Sequence, residues 1–345
     1  MPSTQHHLSN SPQNVPLVRL SSINPFLLEL ARRNAQPQEL LRALDLPEVI
    51  PASGELFVSP GTIYEIVERS ARQANDPYLG FRIGQSLELH SWEPISKAVS
   101  QASTVGELFL RFVMNTQEHA SSALFFLDTE GDSATFGFRR TTKPKLLPAQ
   151  NDAFYLGFLS RMLMHATHDH WNPTQAVFRV ADPQVIPAMQ DRLRIVEGGR
   201  GGATVRFPAA WLMEPFEKTT FVEVRPTDDV QHVPGSLVES MRLAIIPHLH
   251  EPDLSVERAA EYCGYNRRKL SSLLRNKGTT IAKEVAAMRA DRARHLLVDS
   301  TQRVADIALA VGFSDPTVFS RAFKNWTGQS PQQFRRTKQN LTEGV

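Results

Sequence analysis

The chain has 345 residues, of which 41% are hydrophobic, 21% charged and 8% aromatic, with 38 Lys and Arg against 36 Asp and Glu. It contains no run of about 18 apolar residues, which excludes a membrane-spanning helix, and residues 1–15 lack the charged start and apolar core of a signal peptide. The one cysteine, Cys263, excludes an internal disulfide and a cysteine-rich zinc site. We therefore expect a cytoplasmic protein of about two domains, at ~150 residues each.

The net charge of +2 is the sum of two different parts. Residues 251–345 contain 16 Lys and Arg and 10 Asp and Glu, a balance of +6, so residues 1–250 have a balance of −4. A basic C-terminal part next to an acidic body indicates that the C-terminal part is the one suited to nucleic acid.

The first two thirds of the chain mix helical and strand patterns. Residues 1–19 are polar and are expected to form a disordered lead. Helical spacing follows at 25–31, 39–44 and 63–71, and Thr104 with Glu107 forms a capping box before an apolar run. A hairpin is predicted at 123–127 and 134–138 around a turn at 128–132, then a helix at 152–165 and strands at 176–180 and 203–207.

These elements predict one α+β domain over residues 20–214. Residues 215–236, with Pro226, Pro234 and Gly235, are the expected linker. From residue 237 to about residue 340 the pattern is helical throughout, so an all-α C-terminal domain is expected.

Within that domain two segments 48 residues apart repeat the same order of residues. Residues 259–265 and 307–313 each contain an apolar pair, three further residues, a glycine and an aromatic residue. A helix start follows each segment, with Asn266 as the expected N-cap in the first copy and Ser314 or Asp315, before Pro316, in the second. The buried stripes are expected to be Leu270, Leu273 and Leu274, and then Phe319 and Phe323.

This order predicts two helix-turn-helix motifs, with short helices at 256–263 and 304–311 and positive φ angles at Gly264 and Gly312. Residues 281–298 are expected to form one connecting helix of about 27 Å, near the ~34 Å between successive major-groove faces of DNA. One chain is therefore expected to reach two adjacent grooves.

The second helix of each motif is expected to offer a polar outer face to DNA. Hydroxyl and guanidinium groups suit base edges and phosphates. One motif alone is equally consistent with a plain helical bundle, and any single basic side chain is equally consistent with a solvated charge. The duplication of the motif and the basic balance of this part of the chain favour DNA binding. The outer faces comprise Arg267, Arg268, Ser271, Ser272 and Arg275, and then Thr317, Ser320, Arg321 and Lys324.

The second motif and the residues after it resemble the signature of the AraC/XylS family of bacterial transcription regulators. The resemblance covers about residues 240–337 and implies base contacts at Arg268, Ser271 and Ser272, and at Thr317, Val318 and Arg321. It also implies binding to double-stranded promoter DNA and contact with RNA polymerase or its σ factor. The residues that carry it are Ile307-Ala308, Gly312-Phe313-Ser314, Phe319 to Lys324, Trp326-Thr327-Gly328, Ser330-Pro331 and Phe334-Arg335.

Residues 20–214 resemble, more loosely, the arabinose-binding-like N-terminal domain of the OruR/VirS-type branch of that family. The resemblance rests on residues 76–84, the helix after Thr104 and the strand at 177–183. It implies a sensor and dimerisation domain with a small-molecule effector, and a homodimer. Residues 91–94 (Ser-Trp-Glu-Pro) replace a glycine-rich segment common in relatives, so the resemblance does not identify the effector.

The sequence thus predicts a sequence-specific DNA-binding transcription regulator, an activator controlled by an effector. The alternatives are an N-terminal domain that only dimerises, or one with an unrecognised enzymatic activity. Residues 20–214 show no nucleophile-base-acid arrangement, phosphate-binding glycine loop or carboxylate pair, so we expect neither an enzyme nor a cofactor.

Three smaller features have both a functional and a structural explanation. We expect a solvated helix end rather than a metal site at His165, His168, Asp169 and His170, because their spacing does not fit one geometry. Cys263 is expected to be a packed thiol. A basic cluster is expected to be a solvated hairpin end rather than a site for an anionic effector, and it comprises Arg139, Arg140, Lys143 and Lys145.

Overall fold

In the computed structural model the described residues are 15–48, 50, 56–87, 92–116, 119–167, 171–187, 193–216 and 236–342. The described residues divide into two compact units, the first formed by residues 16–216 and the second by Val15 and residues 236–342. The first unit has α+β structure and the second is helical, which confirms the predicted fold class. None of the helices in the described ranges is long and apolar enough to cross a membrane.

The first unit combines helices with two small sheets. Its helices are α1 (Asn24–Arg32), α2 (Pro37–Arg42), α3 (Pro60–Gln73), α4 (Leu79–Ser86), α5 (Glu93–Gln101), α6 (Val105–Thr116) and α7 (Ala149–Thr167). Its strands are β1 (Val18–Arg19), β2 (Phe57–Val58), β3 (Ala123–Glu130), β4 (Ser133–Arg140), β5 (Val177–Val180), β6 (Arg194–Glu197) and β7 (Thr204–Pro208).

Strands β1 and β2 pair with each other, and the remaining strands form a sheet in the order β3-β4-β7-β5-β6. The predicted hairpin is confirmed as β3 and β4, with Phe125 opposite Phe138. Its turn is shorter than expected, because the pairing continues to Glu130 opposite Ser133 and Gly131 takes a φ of 55°. The strands therefore extend through residues whose exposed polar side chains suggested a loop.

The capping box before α6 is also confirmed. The hydroxyl of Thr104 accepts a hydrogen bond from the Glu107 amide (3.2 Å), and the Glu107 carboxylate accepts one from the Ser103 amide (2.9 Å). Helix α6 then packs on the sheet, where the ring of Phe109 stacks on Phe136 with 4.2 Å between centroids. Burial of aromatic side chains at this contact is a main source of stability for the unit.

The sequence did not predict α4, which crosses α7 at very short range. Gly84 faces the backbone of α7, and Gly157 on α7 faces the backbone of α4. A Cβ atom on Gly157 would overlap the carbonyl oxygen of Phe81. The glycines are therefore required by the close approach of two helices.

The expected boundaries of the first domain shift at both ends. Residues 17–19, which we assigned to the disordered lead, are ordered, and Val18–Arg19 forms β1. Leu17 is buried; its amide donates to the Ser121 hydroxyl (3.0 Å), and its carbonyl accepts from the Ser121 amide (2.9 Å). At the other end Phe216 is buried, and its amide donates to the carbonyl of Ser103 (2.9 Å). Buried apolar side chains anchor both segments, whereas residues 1–14 and 217–235 lie outside the described residues.

The predicted exposure of the basic cluster is wrong for Arg140. Its side chain is 1% exposed and forms an ion pair with Asp152, which is fully buried. The Arg140 Nε donates to the Tyr64 hydroxyl (3.0 Å), and the second carboxylate oxygen of Asp152 accepts from the Ala181 amide (3.0 Å). Neighbouring residues on a strand point to opposite faces, so Arg139 is 72% exposed while Arg140 points inward.

The second unit is built from helices only over its described residues. They are α8 (Leu237–Ile245), α9 (Val256–Tyr262), α10 (Arg267–Arg275), α11 (Ile281–Asp299), α12 (Val304–Ala310), α13 (Pro316–Thr327) and α14 (Pro331–Thr342).

Candidate nucleic-acid interface

Helices α9 and α10 form the first helix-turn-helix motif as predicted. Helix α9 ends at Tyr262, and Gly264, in the turn that follows, has a φ of 72°. The side chain of Asn266 then accepts a hydrogen bond from the Lys269 amide (2.9 Å) and caps α10. Leu270 and Leu274 are fully buried, whereas Leu273 is only half-buried. The polar side of α10 is therefore turned outward.

Helices α12 and α13 repeat this arrangement. Gly312 has a φ of 79°, and Asp315, rather than Ser314, caps α13 by accepting from the Thr317 amide (2.6 Å). Pro316 occupies the first turn, and Phe319 and Phe323 are fully buried. The duplicated motif is thus present in both copies.

Helix α11 joins the two motifs and contacts both. The Arg289 Nη2 donates to the backbone carbonyl of Glu251 (2.8 Å), just before the first motif. Its guanidinium also lies over the ring of Phe313, 5.3 Å from the centroid, in the turn of the second motif. Arg289 was not singled out in the sequence, because its partners lie 38 and 24 residues away along the chain. It ties the connecting helix to the segment before the first motif and to the turn of the second.

The predicted contact residues of α10 lie on its outer face. Arg267, Arg268, Ser272 and Arg275 are exposed, and Ser271 is half-buried. The Arg267 Nη1 lies 2.5 Å from the Glu257 carboxylate, and this hydrogen bond lowers the pKa of Glu257. One of the basic groups is therefore already held by an acidic neighbour.

On α13, Thr317, Arg321 and Lys324 are exposed. Ser320 is half-buried, and its hydroxyl donates to the carbonyl of Pro316 (2.8 Å). Val318 is 48% exposed, although it is apolar. The polar face of α13 does not include Val318, so only the family resemblance implied that it contacts a base. An apolar side chain of this kind suits the methyl group of thymine.

Cys263 is fully buried, and burial raises the pKa of its thiol. The prediction of a packed thiol is confirmed.

Comparisons with known proteins match both units. Residues 35–216 match the family described as the arabinose-binding domain of AraC transcription regulators, and residues 259–337 match a helix-turn-helix domain. The first match alone covers more than half of the chain. The protein belongs to the AraC family.

Relatives of this AraC-family chain are regulators as well. The transcriptional regulator VirS of Mycobacterium tuberculosis is 21% identical over 337 residues, with 92% of this chain and 96% of VirS covered. The Msm operon regulatory protein of Streptococcus mutans is 35% identical over 97 residues, which cover 28% of this chain and 35% of that protein. Among solved structures, the transcriptional regulator CdpR from Pseudomonas aeruginosa is 18% identical, with 87% and 96% of the two chains covered and a TM-score of 0.33.

The arabinose-binding-like unit of this AraC-family protein contains two neighbouring cavities. The outer cavity has a volume of about 370 Å³ and is lined in part by Arg19, Glu29 and Arg32. The inner cavity has a volume of about 70 Å³ and an aromatic lining. Ser22, Trp92 and His119 line both.

That His165, His168, Asp169 and His170 form a solvated helix end rather than a metal site stays a prediction. His165 is half-buried in the last turn of α7, while His168, Asp169 and His170 lie outside the described residues. Over the described part of the chain, no three His, Cys, Asp or Glu side chains are grouped so that they could hold a metal ion.

Proposed function

We propose that this AraC-family regulator activates transcription by placing α10 and α13 in two successive major grooves of promoter DNA. The observation that carries the proposal is the pair of capped helices, each with an exposed polar face opposite buried Leu or Phe side chains. Promoter DNA is in the cytoplasm of bacteria, so we place the protein there. Contact with RNA polymerase or its σ factor is the expected route to activation.

The dimensions of the second unit support this proposal. Helix α11 has 19 residues, which corresponds to a length of about 28 Å. Successive major-groove faces on one side of DNA lie about 34 Å apart. A connecting helix of this length is compatible with two recognition helices on the same side of the duplex.

Selection from a random DNA library with the full-length protein tests sequence-specific binding. We expect an enriched site with two half-sites, and an affinity for it that falls steeply with salt because basic side chains displace counterions from phosphates. Selection without enrichment, or affinity independent of salt, would contradict the proposal. A reporter gene behind the selected site then distinguishes activation from repression.

We further propose that a small molecule bound in the first unit controls this activity. The two cavities in the arabinose-binding-like unit support the proposal, because ligand sites are concave and carry a few polar groups in an apolar lining. The reporter strain, grown on different carbon and nitrogen sources, tests it. Expression that is the same on every source would count against effector control.

A homodimer is supported by exposed apolar side chains on α6. Leu110 and Met114 are 54% and 71% exposed and lie one helical turn apart. Neighbouring exposed apolar residues are typical of protein interfaces. We expect Met114→Glu to shift the protein from dimer to monomer in sedimentation experiments, whereas Met213→Glu, at another exposed methionine, serves as the comparison.

A further inference from the structure

Trp92 lies where the two cavities of the first unit meet. Its side chain is 5% exposed and lines both cavities. The indole N–H has no hydrogen-bond acceptor among the described residues. Buried polar groups are nearly always hydrogen-bonded, because a buried donor without an acceptor is unfavourable. The N–H is therefore suited to an acceptor that enters with a ligand.

The inner cavity can take only a small apolar group. Its volume of about 70 Å³ is roughly half of the ~150 Å³ cavity that accepts benzene. This leaves room for a branched chain of about three or four carbon atoms rather than a phenyl ring. The lining is mainly apolar, and besides Trp92 its aromatic residues are Phe26, Phe125, Phe138, Phe154, Tyr64 and Tyr155.

Positive charge dominates around the outer cavity. Arg19 lines it and is 1% exposed, and Arg32 lies at the rim. Among the described residues that line it, the one acidic residue is Glu29, which is held by Arg33 at 2.7 Å. A buried cation in a region of low dielectric favours an anionic ligand group.

His119 lines both cavities, and its pKa is affected by positive charges in the same region. Its pKa is lowered to about 4 by burial first, and then by the charges of Arg19 and Lys97. Burial disfavours a charge of either sign, but the part of the shift that comes from Arg19 and Lys97 favours a negative charge nearby.

We propose that the two cavities form one effector site for a small carboxylate with a short branched apolar chain. The chain occupies the inner cavity, and the carboxylate accepts a hydrogen bond from the Trp92 indole N–H within the field of Arg19. This inference rests on the proposed effector control and adds the chemical class and the site.

The test uses the full-length protein with isobutyrate and isovalerate as probes and their uncharged amides as matched controls. We expect the acids, but not the amides, to raise the melting midpoint, because only a ligand that binds the native state stabilises it. Trp92→Phe keeps an aromatic ring and removes the N–H. The expected loss of affinity for the acids is roughly tenfold or more, as for a hydrogen bond to a charged group.

Trp171→Phe is the control for that variant, since Trp171 packs against Trp211 (5.4 Å between centroids) and lines neither cavity. It should bind the acids as the unchanged protein does. If Trp92→Phe fails to fold, Ser22→Leu decides instead, because Ser22 lines both cavities and a larger side chain there should block the acids.

Amides that stabilise as well as the acids, or acids that do not bind, would overturn the proposed class. Acids that bind equally well to the Trp92 and Ser22 variants would overturn the proposed site. Neither result affects effector control, which the reporter strain tests separately.

Discussion

Arg321 lies on the exposed face of α13, one turn after the exposed Thr317. A guanidinium in this position can contact a base edge with two hydrogen bonds. We expect Arg321→Ala to weaken binding to the selected DNA site by about 1–3 kcal/mol and to relax specificity at one base step. Fluorescence anisotropy with single-base variants of the site measures both effects.

Arg206→Ala is the matched control, because Arg206 is an exposed arginine on β7 of the first unit, where it donates to Ser133 (3.2 Å). It should leave affinity and specificity unchanged. The role of Arg321 would be refuted if its variant retained the same affinity at every base substitution.

His119 connects the ligand region to the stability of the first unit. Its pKa is about 4 in the folded protein and 6.5 in the unfolded reference. The unfolded chain therefore takes up a proton first as the pH falls, so the contribution of His119 to stability is present above about pH 6.5 and is lost towards pH 4. Between about pH 7 and about pH 5 the loss amounts to about 2 kcal/mol.

Urea unfolding of the unchanged protein and of His119→Gln at both pH values measures this loss. The difference in unfolding free energy between the two proteins should shift by about that amount, because the variant lacks the titrating ring. Parallel pH dependences for the two proteins would show that His119 does not titrate in this way.

At the scale of the elements, the turn of the second helix-turn-helix motif depends on Gly312. A Cβ atom there would lie 2.5 Å from the carbonyl oxygen of Leu249 and 2.8 Å from that of Glu251. Gly312→Ala therefore combines left-handed backbone strain with a clash against backbone atoms, and we expect a loss of at least about 3 kcal/mol and weaker DNA binding.

Gly278 provides the comparison that separates the two causes. It has a similar φ of 74°, but a Cβ atom there would meet no atom within 4 Å. Gly278→Ala should cost only the strain, about 1–2 kcal/mol. Equal losses for both glycines in urea unfolding would show that the contact with Leu249 and Glu251 does not constrain the motif.

Elements with local signals were predictable from the sequence. The first helix of each helix-turn-helix motif ends within one residue of the prediction, because Gly264 and Gly312 mark the turns. The second helices begin after the N-caps Asn266 and Asp315, both of which were candidates in the sequence. Strands β1 and β2 were missed, since two-residue strands carry no periodic pattern. Helix α4 was missed because its glycines lower helix propensity and are explained only by the backbone of α7.

Features that need distant partners were not predictable. The burial of Arg140 depends on Tyr64, 76 residues away, and on Asp152. The exposed faces of α10 and α13 could be predicted from helical spacing, but the inward turn of Ser320 and the ion pair of Arg267 with Glu257 could not. The cavities around Trp92 combine residues from Val18 to Tyr155, so no local pattern indicates them.

At the scale of the whole second unit, the arrangement of the two motifs should fix the spacing of the DNA half-sites. Helix α11 is uninterrupted and begins at Ile281, after the N-cap Thr280, whose hydroxyl accepts from the Lys283 amide (3.2 Å). Because Arg289 ties this helix to the segment before the first motif and to the turn of the second, we expect α10 and α13 to keep a fixed separation on DNA.

We therefore expect insertions between the half-sites to weaken binding at either of two lengths. An insertion of about five base pairs rotates one groove to the opposite side of the duplex, and one of about ten restores the side but adds about 34 Å. With a rigid connection, the two recognition helices cannot reach both half-sites after either insertion. Each insertion should therefore lower the affinity for the site at least about tenfold and leave a footprint over one half-site. The same insertions outside the site are the control. Affinity regained at about ten base pairs would show that the two motifs move independently.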